Sequence, residues 1–325
     1  MLGRKKYFRG LSNSRAVETS IKSILAMAVI FVIAQLGALL MAATVLGPEE
    51  QVFQNPDDPL IPVYYIIAII GFTFAVLFVI KKKRESAVRI VFLGAVTYTI
   101  FFVFLIVTAT FIPGWWPLLL SVALTAVLGY LLIKRPEWYV VDAAGIIMAI
   151  GVIGILGISL SILPVIILLS LLAVYDAVSV YGTRHMVALA EGVTEMKLPI
   201  LLVIPKKKGY SYIDQKPLRE QLEKGEEREA MFMGLGDVII PGVLVISAFR
   251  WLSTETVVLG IQGPILVSAG TIIGALAGFA ALMTFVIKGK PQAGLPLLNG
   301  GAIIGYLISY LLVYGNLAFG ITLPW

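Results

Sequence analysis

Three aspartates, Asp142, Asp176 and Asp237, lie in runs otherwise apolar enough for the interior of a bilayer. An ionisable group at mid-bilayer costs at least about 2.5 kcal/mol on insertion scales, so each is a reason to look for chemistry. Asp176 stands in LLSLLAVYDAVSVYGTRH and Asp237 in EEREAMFMGLGDVIIPGVL. The nearest charge after Asp176 is Arg184, and the last before Asp237 is Glu229, each eight residues away. With a helical rise of about 1.5 Å per residue, both acids lie roughly 12 Å from these markers. On consecutive antiparallel spans they would face one another at one depth.

Two such carboxylates cannot both ionise in a low dielectric, so they hold one proton between them. One can act as general base on a water while the other, protonated, polarises a carbonyl. That is the arrangement of an aspartic protease. The chain has no Cys, which excludes thiolate chemistry and Cys-ligated metals, and its one His, His185, falls at an interface. Gly234 and Gly236 would loosen the backbone and allow close approach just before Asp237. Tyr175 could donate a hydrogen bond beside its acid. Asp142 starts its run soon after Lys134, Arg135 and Glu137 and reads as an interfacial acid.

The elements that must carry these acids are membrane spans. The chain of 325 residues is 59% hydrophobic and 14% charged, whereas a soluble domain needs roughly 25% charged residues. Nine apolar runs, each about the length that crosses a bilayer core, fall near 21–46, 61–80, 88–111, 115–133, 138–157, 161–182, 233–252, 262–287 and 293–314. The fold class expected is an all-α polytopic membrane protein. Of 25 Lys and Arg, all but Arg250 fall in the N-terminal tail or in alternate loops, while Glu49, Glu50, Asp57, Asp58 and Glu255 lie in the others. Positive-inside asymmetry puts the N-terminus in the cytoplasm and, with nine spans, the C-terminus outside. The net charge of +6 is then a matter of orientation, and no nucleic-acid partner is expected. The basic start of the chain shows no small-residue cleavage site after its first apolar run, so no removable leader is expected.

The polar segment between spans six and seven opens with a short amphipathic helix, with Met186, Val187, Leu189 and Ala190 on its apolar side. LPILLVIP follows, too short to span, and suits an edge strand or interfacial segment. The chain thus divides into residues 1–182, carrying Asp176; a cytoplasmic loop, 183–232, with room for a small β element; and 233–325, carrying Asp237. Gly270, Gly274 and Gly278, and Gly301 and Gly305, recur at four-residue spacing and read as helix-packing faces.

Tyr175-Asp176 and Gly234-Leu235-Gly236-Asp237, on consecutive spans, resemble the presenilin and signal peptide peptidase family of intramembrane aspartyl (GxGD) proteases, in its archaeal form. That family carries a Pro-Ala-Leu tripeptide at its last span. Here Ala293-Gly294-Leu295, followed by Pro296, stands in its place; only the Leu matches. The resemblance implies that Asp176 and Asp237 are the catalytic pair and that Ala293–Leu295 shapes the active site and contacts substrate. It also implies hydrolysis within transmembrane segments of other proteins, with no cofactor and no metal. Substrate would unwind to an extended strand, received by LPILLVIP or by the residues just ahead of Gly234 through β-augmentation; deleting the LPILLVIP strand would abolish cleavage and leave the fold intact. The protein would be integral to a prokaryotic plasma membrane, in contact with lipid, and a homo-oligomer is permitted. The rivals are a prepilin-peptidase-like aspartyl enzyme and an ion transporter or channel using the paired acids, though two carboxylates make a poor metal cage.

Overall fold

The computed structural model describes residues 14–82, 85–183, 200–207, 209–215, 229–287 and 292–321. His185 and the expected amphipathic helix around Met186–Ala190 lie outside the described residues. The long helices are α1 (Ser14–Thr44), α2 (Ile61–Lys81), α3 (Glu85–Phe111), α4 (Trp116–Lys134), α5 (Trp138–Ser159) and α6 (Ile162–Val178), the last running into a π-turn at Ser179–Thr183. Strands β1 (Leu201–Pro205) and β2 (Ala230–Gly234) follow, then α7 (Leu235–Trp251), a small hairpin of β3 (Val257–Val258) and β4 (Ile261–Gln262), α8 (Gly263–Ile287) and α9 (Leu295–Tyr314). Among the described residues seven helices are long and apolar enough to cross a membrane; α2 contributes a shorter apolar run over 61–76, and α7 has only 17 residues. This is a mostly helical, polytopic membrane fold.

Burial explains the layout. Along α1, Met27, Phe31, Ala34, Ala38 and Met41 face the protein core while Leu25, Val29, Ile33, Leu36 and Leu40 are exposed. In water such a stripe would be costly; in a bilayer it faces lipid at no penalty. α7 has no such outer stripe over most of its length. Val238, Val243, Leu244, Val245, Ile246 and Ala248 are fully enclosed, and α7 touches α1, α5, α6, α8 and α9. It is the axis of the bundle.

The expected seventh span starts two residues late, at Leu235, because Ala230–Gly234 pair with β1 instead. β1 and β2 are antiparallel, with Val203 opposite Phe232. Leu235 N–H donates to the Ile200 carbonyl (3.0 Å) and Lys206 N–H to the Glu229 carbonyl (2.8 Å). By the alternation of an antiparallel ladder, Leu202 and Ile204 turn their backbone groups to β2, whereas those of Val203 point outward. β1 is also buried on both faces. Leu202 and Ile204 join the main core, while Val203 joins a second one with Val96, Leu132, Val141 and Tyr212. Deleting this strand would open both cores, so survival of the fold without it is not what the packing supports.

α8 and α9 are the tightest pair. A Cβ on Gly274 would stand 2.3 Å from the Gly301 carbonyl oxygen and 2.7 Å from the Gly305 Cα. Backbone cannot yield as a side chain does, so Gly274→Val is expected to lower stability by about 3 kcal/mol or more. Gly300, where a Cβ meets nothing within 4 Å, is the control; Gly300→Ala leaves stability within about 1 kcal/mol. Thermal unfolding in detergent micelles distinguishes the two.

Candidate active site

Asp176 sits on the last turn of α6 and is buried, at 6% exposed. Asp237 sits on the first turn of α7 and is half-buried. The premise of equal helical depth does not survive. Residues 230–234 are strand, rising about 3.3 Å per residue, so Glu229 lies further from Asp237 along the chain than a helix would place it. The acids nevertheless converge, because both meet the segment just before α9. Leu295 N–H donates to Asp176 Oδ2 (3.0 Å), with the Gly294 amide also within its reach. A Cβ on Gly294 would lie 3.2 Å from both Asp237 carboxylate oxygens. The two carboxylates are near enough to interact electrostatically.

This geometry follows from where α9 begins. The expected span started at Ala293; the helix starts at Leu295, and Ala293 and Gly294 lie outside it. The first amides of a helix have no partner within it, and the positive end of its dipole favours an anion. Asp176 therefore takes up an amide that α9 leaves free. Pro296 is well placed in this first turn, where its missing N–H costs nothing. Gly294 leaves the space that Asp237 occupies. One turn further on, Asn299, 1% exposed, donates from Nδ2 to the Leu169 carbonyl of α6 (2.9 Å), a second tie between the two helices.

The GLGD stretch is a strand-to-helix junction. Gly234 ends β2 with extended backbone at the N-cap of α7, and a Cβ there would lie 3.3 Å from Asp237 Oδ2. Leu235 is buried and its amide continues the ladder to Ile200. Gly236 does not pack closely as expected: it is exposed, and a Cβ there meets nothing within 4 Å. It leaves an open approach one residue from the acid. Pro241 lies inside α7, four residues after Asp237. It lacks the amide that would close the helical bond to the Asp237 carbonyl, and the spacing D-x-x-x-P was legible in the sequence.

Tyr175 and Asp142 have other surroundings. Among the described residues the Tyr175 hydroxyl makes no hydrogen bond; it is the Tyr181 hydroxyl, in the π-turn, that accepts from the Ala293 amide (3.3 Å). Asp142 is enclosed by the protein. It is 4% exposed, and its Oδ1 accepts from Val203 N–H (2.8 Å) across 61 residues of chain.

Residues 28–315 match the family described as signal-peptide peptidase, presenilin aspartyl protease. Two solved structures of a presenilin family intramembrane aspartate protease, in space groups C222 and P2, are 29% and 30% identical with TM-scores of 0.60 and 0.61. Each alignment covers 89% of this chain and 97% of the other. The signal peptide peptidases of Homo sapiens and Mus musculus are 28% and 29% identical over 134 residues, which is 41% of this chain. That stretch spans only 31% of the length of these curated relatives. With a family match running through both aspartate-bearing helices and α9, the chain belongs to the signal peptide peptidase and presenilin family of aspartyl proteases.

Proposed function

We propose that this protein is an intramembrane aspartyl endopeptidase that hydrolyses peptide bonds within transmembrane segments of other membrane proteins. The observation that carries the reading is the convergence of Asp176 and Asp237 on Gly294–Leu295 at the start of α9. Asp176 and Asp237 are the catalytic pair. The ionised member takes a proton from a water held between them, and the water oxygen attacks the substrate carbonyl carbon. The protonated member gives its proton to the carbonyl oxygen, forming a tetrahedral gem-diol. Collapse breaks the C–N bond, returns a proton from the gem-diol to one carboxylate and delivers the other's proton to the leaving nitrogen. Leu295 positions Asp176 through its amide, Gly294 leaves space for Asp237, and Gly234, Leu235 and Gly236 hold and expose Asp237. Ala293 and Pro296 set the start of α9, and Tyr175 lines the helix face beside its acid.

An extended substrate would add to the outer edge of β2. The outward groups of Phe232 make no hydrogen bond among the described residues, and Asp237 follows five residues later. The wider reading is of nine spans with a cytoplasmic N-terminus, an external C-terminus, and the strand pair as the small β element of the cytoplasmic segment. Residues 1–182 present Asp176, 183–232 form the loop, and 233–325 present Asp237. The seating is a prokaryotic plasma membrane, with lipid around the bundle; water is the only co-substrate, and assembly of several copies is compatible with it. What supports this is the alternation of basic and acidic connections and the exposed apolar stripes.

Cleavage of a purified single-span substrate tests the reading. Wild type is expected to cut within the span, and Asp176→Ala and Asp237→Ala to give no product; a variant that still cuts removes that acid from the pair. Gly294→Ala forces the Asp237 carboxylate to shift by a few tenths of an ångström. On the scale where 1 Å of misplacement costs about 10²-fold, kcat is expected to fall roughly tenfold with the unfolding temperature unchanged. Phe232→Pro removes an outward amide without touching the ladder to β1. It is expected to lower kcat/KM at least roughly tenfold, since strand addition draws its affinity from such main-chain bonds; unchanged kinetics would place the substrate elsewhere.

A further inference from the structure

Asp142 has no part in the chemistry above, yet it is an acid shut away in the helix bundle. Its Oδ1 accepts from Val203 N–H, and its Oδ2 has no partner among the described residues. The Tyr212 hydroxyl, on a residue 1% exposed, is likewise without one, and the two groups are near enough to interact electrostatically. A burial so unfavourable for a carboxylate, spent on one amide, directs attention to that amide. A carboxylate oxygen is an acceptor for a backbone amide, and here it is set on the middle of a strand edge.

That edge is covered at two of its three outward-facing residues. Outward-facing residues of β1 are Leu201, Val203 and Pro205, by the ladder alternation. The Val203 amide is taken by Asp142. Pro205 has no amide to offer. Its carbonyl accepts from Ser23 Oγ of α1 (3.4 Å). The edge of β2 carries no comparable cover: Phe232 N–H and C=O are unbonded among the described residues. A two-stranded sheet offers two edges to an incoming strand, and this one has been reduced to one.

Resting on the protease reading, we propose that Asp142 is a positioning residue that closes the β1 edge and pins the strand pair to α5, so that an extended substrate adds only beside β2 and in one register relative to Asp237. Register matters because β2 runs into α7 without a break, and a slip of one residue turns every side chain to the opposite face. A strand pair free to rock against α5 would present several neighbouring peptide bonds to the acids instead of one.

The test uses the full chain in detergent, a single-span substrate with products mapped by mass spectrometry, and amide hydrogen exchange. Asp142→Ala removes the acceptor, Asp142→Asn keeps an oxygen for Val203, and Val203→Pro removes the outward donor while sparing the ladder. In Asp142→Ala and Val203→Pro, exchange at the Leu202 and Ile204 amides is expected to rise at least tenfold. In both, the cut spreads over neighbouring bonds and kcat falls about tenfold. Asp142→Asn keeps wild-type exchange and a single cut. A wild-type cleavage pattern and kcat in both Asp142→Ala and Val203→Pro would overturn the proposal. So would an Asp142→Asn as impaired as Asp142→Ala beside a normal Val203→Pro, since the charge and not the tether would then act. If Asp142→Ala does not fold, Val203→Pro against Asp142→Asn decides alone. A wild type that cuts nothing sinks the protease reading, and the exchange rates still decide the tether: β1 amides unaltered in the variants would end it.

Discussion

A carboxylate in an apolar bundle needs a polar partner that does not itself have to be paid for, and the first turn of a helix is the cheapest one available. The Leu295 amide has no acceptor within α9, so its bond to Asp176 satisfies an orphan donor and a buried acid at once. The rest of the site is arranged around keeping that turn where it is. Asn299 ties α9 to the Leu169 carbonyl of α6 below the acid, and the glycine crossing with α8 fixes the height of the helix through backbone contacts that leave no slack. Gly294, immediately ahead, is small because the second carboxylate lies against it. One helix start thus serves both acids, by donation to Asp176 and by leaving room for Asp237.

Asp237 is held by different means. It lies three residues past Gly234, where an extended strand becomes a helix that is itself the enclosed axis of the bundle. Enclosed non-helical backbone needs partners for its amides and carbonyls. β1 satisfies one side of β2, and the other side is the edge on which Phe232 is exposed to pairing. The shortness of α7 has the same origin. Residues 230–234 would have lengthened the helix by more than a turn, and the ladder to β1 claims them instead.

Much of this was legible in the chain. The apolar stretches that become the long helices could be read because lipid exposure demands length and composition that few other contexts allow. The glycines at 270, 274, 278, 301 and 305 could be read because close helix crossing needs small residues at that spacing. The depth estimate for Asp176 and Asp237 assumes helix where strand occurs; what brings the two acids to one place is a third segment, Gly294–Leu295. Hydropathy does not register such a segment, since a bond from a backbone amide is blind to the side chain that carries it. For the same reason the enclosure of Asp142 was not legible: its partner is the amide of Val203, 61 residues away, and Val is silent about where its N–H points. Tyr181 reaches the Ala293 amide from the π-turn, which shifts the facing of side chains after Val178 in a way that regular periodicity does not foresee.

The two acids therefore differ in how firmly they are placed. Asp176 is anchored by helix against helix, with Leu295 and Asn299 binding α9 to α6 at two heights. Asp237 depends on a strand pair whose outer member is clamped by Asp142, Ser23 and the packing of Leu202, Val203 and Ile204. A substrate strand laid on β2 would lean against this second assembly, not the first. Fixing β1 from outside then does for Asp237 what the start of α9 does for Asp176. It lets the vacant edge of β2 accept a stranger's backbone while the acid beside it keeps its distance from Gly294.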